Sequence, residues 1–425
     1  MKSTDIVKKV LAEICRVLIG VVFVFSGFVK AVDPWGYTYK IQDYLEAFGM
    51  SFFDPLALPA SIFISALEFA IGLCLLIGVY RKFYSIVLLL FMCVMTPLTL
   101  YLAIANPVKD CGCFGDAIII SNWETFFKNL VLLAAAIVLF LWYRWLKPLF
   151  QSSKTRPVAG AIPWVFIVAV SLYCYLYLPI LDFRPYKIGN NISQQMEIPD
   201  GAPVDKFETT FIYEKDGVKE TFTLDNYPKT DDWTFVEQVV KVIEKGYEPP
   251  IQEFDVFDEE GDDITDIILE NEGYTFLLVA WTLEKANESR VDEINEIYDY
   301  AVENGYDFYA LTSSPSLEIE NWRRVTGADY PFGQVDAITL KTIIRSNPGL
   351  VLLRQGTVIN KWPFRKISDE KFGATRLEDS PLGQIPPNHD VRNMIILSIV
   401  LILLYVPVLV MEFSWRKNRA VGMKK

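Results

Sequence analysis

Long apolar runs dominate the N-terminal 180 residues and recur near the C-terminus of the chain. About 20 mostly apolar residues span a bilayer, and the fifth and sixth of these runs contain no charged residue. The sequence therefore predicts a membrane all-α bundle of six transmembrane helices in contact with the lipid bilayer. The predicted spans are 12–31, 58–80, 83–104, 126–143, 161–181 and 393–411.

The first part of the intervening region, residues 182–271, predicts a small α+β segment. Residues 207–224 alternate between apolar and polar positions around a turn at Asp216, which is typical of a hairpin. Residues 233–245 have apolar positions at helical spacing, so we expect an amphipathic helix that begins near Asp231.

The second part, residues 272–390, alternates apolar strands with amphipathic helices and ends in a hairpin at Gln355-Gly356. Strands alternating with helices in this way are typical of an α/β domain. The predicted elements are strand 274–283, helix 288–303, strand 306–313, helices 316–325 and 339–345, and strands 350–353 and 358–362.

Charge is divided unevenly along the chain. Residues 182–390 carry 41 acidic and 20 basic side chains, whereas the remainder carries 11 acidic and 20 basic ones. No basic patch with interleaved aromatic residues occurs, which argues against a nucleic-acid partner. The acidic region has the composition of a water-exposed domain beside a basic membrane part.

Orientation follows from the short basic loops, because Lys and Arg are retained on the cytoplasmic side. The basic residues before span 1, between spans 2 and 3, between spans 4 and 5, and after span 6 all fall on one side of a six-span path. We therefore expect both termini in the cytoplasm, in a bacterial inner membrane. Residues 32–57, 105–125 and 182–390 are then expected on the opposite, periplasmic side.

The chain has six cysteines, and two of them lie in the loop before span 4 as Cys111-Gly112-Cys113. On an oxidising side of a membrane such a pair forms a small, strained disulfide, and strained disulfides are labile. A fixed structural bridge is the alternative. No metal site is predicted, because the only histidine, His389, is remote and a closed zinc site needs four ligands.

Glu68 lies near the middle of span 2. Ionisable groups inside a membrane usually face the bundle interior and serve a function, although a hydrogen bond that merely fixes the bundle is an equal alternative. Lys30, at the outer end of span 1, is a candidate ion-pair partner, and snorkelling of its side chain to the membrane interface is an equal alternative. Gly72 and Gly78 allow a neighbouring helix to approach closely.

Residues 13–145 resemble the DoxX/MauE group of four-span membrane proteins. The resemblance rests on Phe25–Lys30 followed by Asp33-Pro34, on Glu68–Gly78, and on the loop Asp110–Gly115 with its two cysteines. It implies a role in redox maturation of extracytoplasmic proteins and in disulfide formation.

Residues 272–376 resemble a thioredoxin-like domain in element order and in Asn347-Pro348-Gly349-Leu350 before the final hairpin. The resemblance implies a cis peptide bond at Pro348. Thioredoxins carry Cys-x-x-Cys after the first strand, but here residues 281–288 contain no cysteine, and the domain cannot exchange disulfides itself. Pro348 and Trp281 are then the candidate residues for docking a partner. Fusion of such a domain to a DoxX-like bundle resembles architectures of Bacteroidetes.

Two functions remain open. The first is a membrane protein of thiol–disulfide maturation that uses Cys111 and Cys113 as a redox pair and Glu68 as a buried polar site. It would exchange electrons with a thioredoxin-like or client protein, or with a quinone. The second is a non-catalytic scaffold or assembly protein that binds a periplasmic partner. Transport of a small molecule is a weaker third hypothesis, since the sequence offers only Glu68 and a few threonines such as Thr96 and Thr99 within the spans.

The predicted division of the chain follows from these patterns. Residues 1–150 form a four-helix transmembrane bundle, 151–181 a fifth transmembrane helix, 182–271 the α+β segment, 272–390 the thioredoxin-like domain, and 391–425 a sixth transmembrane helix with a basic tail. The sequence leaves open whether the protein is an enzyme.

Overall fold

The structure of the protein is a computed structural model. It describes residues 3–108, 110–204, 206–215, 217–223, 226, 232–244, 246–373, 375–387 and 389–422. Asp216, the expected turn, and Asp231, the expected helix start, lie outside the described residues.

The helices differ sharply in length between the membrane part and the rest. They are α1 (Ser3–Val32), α2 (Pro34–Ala47), α3 (Ala57–Ile77), α4 (Arg81–Ala105), α5 (Asn122–Trp142), α6 (Thr155–Leu176), α7 (Ile192–Met196), α8 (Thr265–Glu270), α9 (Val291–Asn304), α10 (Ser316–Thr326), α11 (Ala337–Ile343) and α12 (His389–Gly422).

Within the described residues six helices are long and apolar enough to cross a membrane: α1, α3, α4, α5, α6 and α12. The protein is therefore a multi-pass membrane protein, and all six predicted spans are confirmed, with ends that differ from the predicted ones by up to eight residues. The fifth ends at Leu176, earlier than predicted, three residues before Pro179. Proline disfavours helical backbone in the residue that precedes it.

Helices α1 and α3 pack most closely in the bundle, and glycines make this possible. A Cβ atom at Gly27 would lie 2.5 Å from the backbone nitrogen of Phe69, and one at Gly72 would lie 2.7 Å from that of Val24. The expected role of Gly72 is confirmed. Gly78 instead ends α3 with a left-handed backbone, φ +70°, which glycine adopts without strain.

Helix α2 was not predicted, yet its start has a clear sequence signal. Asp33 is the N-cap and its side chain accepts a hydrogen bond from the Gly36 backbone N–H at 2.9 Å. Pro34 occupies the first helical position, where its missing N–H costs nothing. This helix lies beyond the end of α1, within the loop expected at residues 32–57.

The strands are β1 (Lys206–Lys215), β2 (Val218–Thr223), β3 (Thr234–Glu244), β4 (Tyr274–Ala280), β5 (Asp307–Thr312), β6 (Phe332–Gln334), β7 (Gly349–Arg354) and β8 (Thr357–Pro363). The first three form an antiparallel sheet in the order β2-β1-β3. The predicted hairpin is thus present.

The helix predicted at 233–245 is wrong, because Thr234–Glu244 form β3. The apolar positions Val236, Val239, Val240 and Ile243 do recur at helical spacing. All four are β-branched, however, and β-branched residues favour strands. Pairing with β1, for example Thr210 opposite Val239, decides the conformation.

The other five strands form a second sheet in the order β6-β5-β4-β7-β8. Strands β4, β5 and β6 run parallel, and β7 and β8 run antiparallel to their neighbours. Both faces are covered: Phe276 and Leu278 of β4 belong to one hydrophobic core, and Leu277 and Val279 belong to the other. The arrangement is the α/β thioredoxin-like fold that the sequence predicted.

Candidate functional site

The Cys-Gly-Cys loop lies between α4 and α5. Gly112 has φ +61°, a left-handed conformation that folds the two cysteines toward each other. Both are free thiols, with Sγ atoms 2.8 Å apart. A disulfide bond of about 2.0 Å therefore needs a further approach of about 0.8 Å. Cys111 is buried, at 6% exposure, and Cys113 is half-buried.

The two thiols are electrostatically different. The hydrogen bond with Cys113, joined by bonds from the Thr125 hydroxyl at 3.1 Å and the Cys113 backbone N–H at 3.4 Å, lowers the pKa of Cys111 to about 6. Burial opposes this shift. The same sulfur–sulfur hydrogen bond and burial raise the pKa of Cys113 well above its usual value. The positive charge of Lys128 favours the thiolate form of both. The stabilised anion of the pair is thus Cys111.

Helix α2 holds the loop from one side. The Tyr44 hydroxyl donates to the Cys111 carbonyl at 2.6 Å, and Lys40 pairs with Asp110 at 2.8 Å. Asp110 in turn accepts the Gly112 backbone N–H at 2.9 Å. Because these contacts go to backbone groups and to a flanking carboxylate, they fix the loop and leave both sulfur atoms uninvolved.

Glu68 lies on the other side of the loop and forms a buried ion pair with Lys30. The Lys30 Nζ atom lies 2.7 Å and 2.8 Å from the two carboxylate oxygens of Glu68. Ser26 lies 2.8 Å from Glu68 and, with the same hydroxyl, 2.8 Å from the Cys113 carbonyl. The structure therefore brings Glu68 and the cysteine loop together through one shared hydroxyl, and Lys30 is the partner that the sequence indicated.

The thioredoxin-like domain contacts the membrane domain at α2. Arg345, between α11 and β7, binds both carboxylate oxygens of Asp33 at 2.8–3.1 Å and lies 3.7 Å from Asp116 in the cysteine loop. Burial raises the pKa of Asp33, but the charges of Arg345 and Arg184 and the hydrogen bonds to Arg345 and the Gly36 backbone prevail and hold it below its usual range. The Arg345 guanidinium thus connects the thioredoxin-like domain both to Asp33 at the start of α2 and to Asp116 in the cysteine loop.

An aromatic cluster extends this contact. Trp281, which follows β4, lies edge-on to Trp35 and Tyr39 of α2, with ring centroids 6.3 Å and 6.4 Å away. The Trp281 indole N–H donates to the Ile344 carbonyl at 3.0 Å. The predicted docking residue Trp281 therefore already packs against another part of this chain.

The second predicted docking residue lies deeper. The Asn347–Pro348 peptide bond is cis, as expected, and Pro348 is buried. The neighbouring Asn347 amide donates to the Thr282 carbonyl at 2.9 Å, so the cis turn lies against the segment that follows β4. That segment has no cysteine, and all six cysteines of the chain lie at or before residue 174.

Several residues of the site were not predicted. Tyr44, Thr125 and Lys128 each lie in or beside helices whose other residues looked like ordinary span or loop residues. Arg345 and Asp33 are 312 positions apart, and no local pattern connects them. The only signal was the position of Asp33, which forms an N-cap with Pro34.

Three comparisons with known proteins bear on the chain. Residues 8–142, which cover α1 to α5, match the family model of methylamine utilisation protein MauE. Residues 207–245, the three-stranded sheet, match a domain of unknown function, DUF8463. No curated protein gives a significant match. DoxX and the fused architecture stay predictions.

Among solved structures, the chain is similar to the solution structure of a proposed protein disulfide isomerase from Bacteroides thetaiotaomicron. The identity is 15%, the match covers 28% of this chain and 79% of the other, and the TM-score is 0.24.

Proposed function

We propose that the protein is a thiol–disulfide oxidant of the cell envelope, in which Cys111 and Cys113 cycle between disulfide and dithiol. The observation that carries the proposal is the asymmetry of the pair: the half-buried Cys113 lies 2.8 Å, sulfur to sulfur, from a buried Cys111 whose thiolate is stabilised. The MauE match of the surrounding helices agrees with a role in maturing other proteins. The orientation that the basic loops predict puts this site on the periplasmic side.

Each sulfur then has one role. A client thiolate attacks the Sγ of Cys113, the less enclosed residue of the pair, and breaks the Cys111–Cys113 bond. Cys111 leaves as a thiolate, and a thiol of low pKa leaves fastest. A second client thiolate then attacks the client sulfur of the mixed disulfide, and Cys113 leaves and takes up a proton.

The electrons balance over these two steps. The client dithiol loses two electrons and becomes a disulfide, and the Cys111–Cys113 disulfide gains them and becomes a dithiol. Stabilising the thiolate of the reduced form makes a disulfide more oxidising. Regeneration needs a two-electron acceptor, and a membrane quinone or a second protein disulfide is the chemical class that we propose.

The remaining groups position the loop. The Ser26 hydroxyl, which also contacts Glu68, binds the Cys113 carbonyl, and Tyr44 of α2 binds the Cys111 carbonyl. The thioredoxin-like domain acts as a docking module, and the segment that it binds here is α2 of the same chain, which Trp281 and Arg345 contact. It contributes no thiol of its own.

The test is thiol trapping in membranes that contain the full chain. Maleimide labelling after reductant, and its loss after a thiol oxidant, should occur reversibly at Cys111 and Cys113 and not at Cys93, which lies in α4. A client peptide with a single cysteine cannot make the second attack, so its mixed disulfide with Cys113 of the oxidised, unmodified chain should accumulate. The Cys111→Ser variant, which cannot form the Cys111–Cys113 disulfide, is the matched control and should trap far less.

Two results would contradict the proposal. One is an oxidation state at Cys111 and Cys113 that does not respond to reductant or oxidant. The other is a stoichiometric partner that co-purifies equally well with the Cys111→Ser/Cys113→Ser double variant while its own disulfides form normally, which would favour the scaffold alternative.

A further inference from the structure

A cavity of about 780 Å³ lies where the thioredoxin-like domain meets α6 and α12. It is away from the cysteine site and within the volume range of small-molecule sites in proteins. Its walls come from the last turn of α6, the first turns of α12, and loops of the extramembrane part. The cavity therefore lies at the end of two candidate membrane spans, at the level of a bilayer surface.

Aromatic residues mark that level. Tyr173 and Tyr177 at the end of α6 lie with their ring centroids 5.0 Å apart and the rings tilted by 40°, and both line the cavity. Tyrosine is enriched at membrane–water interfaces, where its ring is apolar and its hydroxyl is hydrated. Lys366 lies 4.9 Å above the Tyr177 ring and 3.4 Å from the Tyr173 hydroxyl, which holds its ammonium group at the mouth.

The charge in the cavity is unbalanced. Lys361 pairs with Asp182 at 3.3 Å, and the same carboxylate binds Arg184 at 2.8 Å. One further carboxylate, Asp390, and three further cations line the cavity, and the cations are Lys187, Lys366 and Arg392. Among the described residues, no ion pair is made by any of these three. This excess of positive charge attracts an anion with several acceptor oxygens, such as a phosphate group.

The part of the cavity that lies about one turn farther along α12 than Arg392 is apolar. Ile396 and Leu397 form its lining. Only 6% of the most apolar window of α12 is buried in the protein, so the gap beside these residues opens toward lipid. The lining thus becomes less polar from Arg392 to Ile396. A phospholipid changes in the same order, from its charged headgroup to its apolar acyl chains.

We propose that this cavity binds one anionic phospholipid, with its phosphate at Lys187, Lys366 and Arg392 and an acyl chain beside Ile396. Basic pockets between transmembrane helices recognise lipid headgroups by the same combination of charge and interfacial position. The bound lipid fills the gap between α6 and α12 and joins both helices to the thioredoxin-like domain.

The test uses the full chain, purified in mild detergent and titrated with phosphatidylglycerol in native mass spectrometry. The expected result is one tightly retained lipid. Each neutralised cation should weaken binding about 5-fold, and the Lys187→Gln/Lys366→Gln pair about 30-fold. Lys285→Gln, an exposed lysine elsewhere on the domain, should bind phosphatidylglycerol as the unmodified chain does.

A second variant separates headgroup from acyl-chain recognition and does not depend on the charges. Ile396→Trp keeps all three cations and fills the apolar end, so it should also lose the retained lipid. Equal retention of phosphatidylglycerol by all variants would overturn the proposal. So would equal retention of phosphatidylcholine by the unmodified chain, or thermal stabilisation by sn-glycerol 3-phosphate as large as that by the lipid, since the site would then read a soluble phosphate.

Discussion

The buried pair between Lys30 and Glu68 makes a sharp prediction about stability. The side chains of the two residues are only 5% and 6% exposed. In the Lys30→Met variant the Glu68 carboxylate loses both of its contacts with the ammonium and keeps the Ser26 hydroxyl alone. Removing one partner of a buried ion pair costs about 3–5 kcal/mol, because the other charge stays buried without compensation.

The matched variant removes the remaining charge. Lys30→Met combined with Glu68→Gln leaves a neutral amide that still accepts from Ser26, so most of the lost stability should return. Replacing both members of a buried pair is often close to neutral. The free energy of unfolding of the full chain, from titration with a denaturing detergent followed by circular dichroism, measures both variants.

Two outcomes would refute this reasoning. The first is a loss below about 1 kcal/mol for Lys30→Met, the value typical of a solvated surface pair. The second is a double variant no more stable than the single one, which would mean that the lysine acts by packing and not by charge.

Three further predictions concern the loop, the domain contact and the helix contact. The rate of alkylation of Cys111 should rise as the pH increases through about 6, because only the thiolate reacts and the low pKa populates it above that pH. Thr125→Val should move the pH midpoint of this rise upward. Thr125→Ser, which keeps the hydroxyl, should move the midpoint less. Arg345→Gln and Asp33→Asn should show a coupling energy of about 1–3 kcal/mol in a double-mutant cycle of unfolding. Additive effects of the two substitutions would show that this ion pair does not contribute to stability. Gly27→Ala should lower the free energy of unfolding by about 1–3 kcal/mol, since the added Cβ would meet backbone atoms of α3. Gly373→Ala is the control: no atom lies within 4 Å of the added carbon, so the free energy of unfolding should change by less than about 0.5 kcal/mol.

The membrane helices were predictable because their signal is local. A run such as 393–411 needs only its own composition to be recognised, and the alternation of strands and helices after residue 274 has the same advantage. Residues 233–245 show the limit of periodicity. Their spacing fits a helix, and only the long-range pairing of β3 with β1 shows that they form a strand.

The site itself was half predictable. Cys111, Cys113, Glu68 and Lys30 each stand out because a thiol in a polar loop or a charge in a span is unusual. The sequence could not show that Ser26 connects Glu68 with the cysteine loop. Nor could it show that Arg345 binds Asp33, from which it is 312 positions away. Such contacts depend on how separate segments pack, and no spacing within one segment encodes them.

The contact between Trp281 and α2 has a consequence for any client of the thioredoxin-like domain. A segment tethered to the same chain is present at a high effective concentration, so α2 competes with every protein that seeks the same face. If the contact is open about 1% of the time, the apparent affinity of that face for a client falls about 100-fold. Substitutions in α2, at Trp35 or Tyr39, would then tighten client binding without altering the binding face at all.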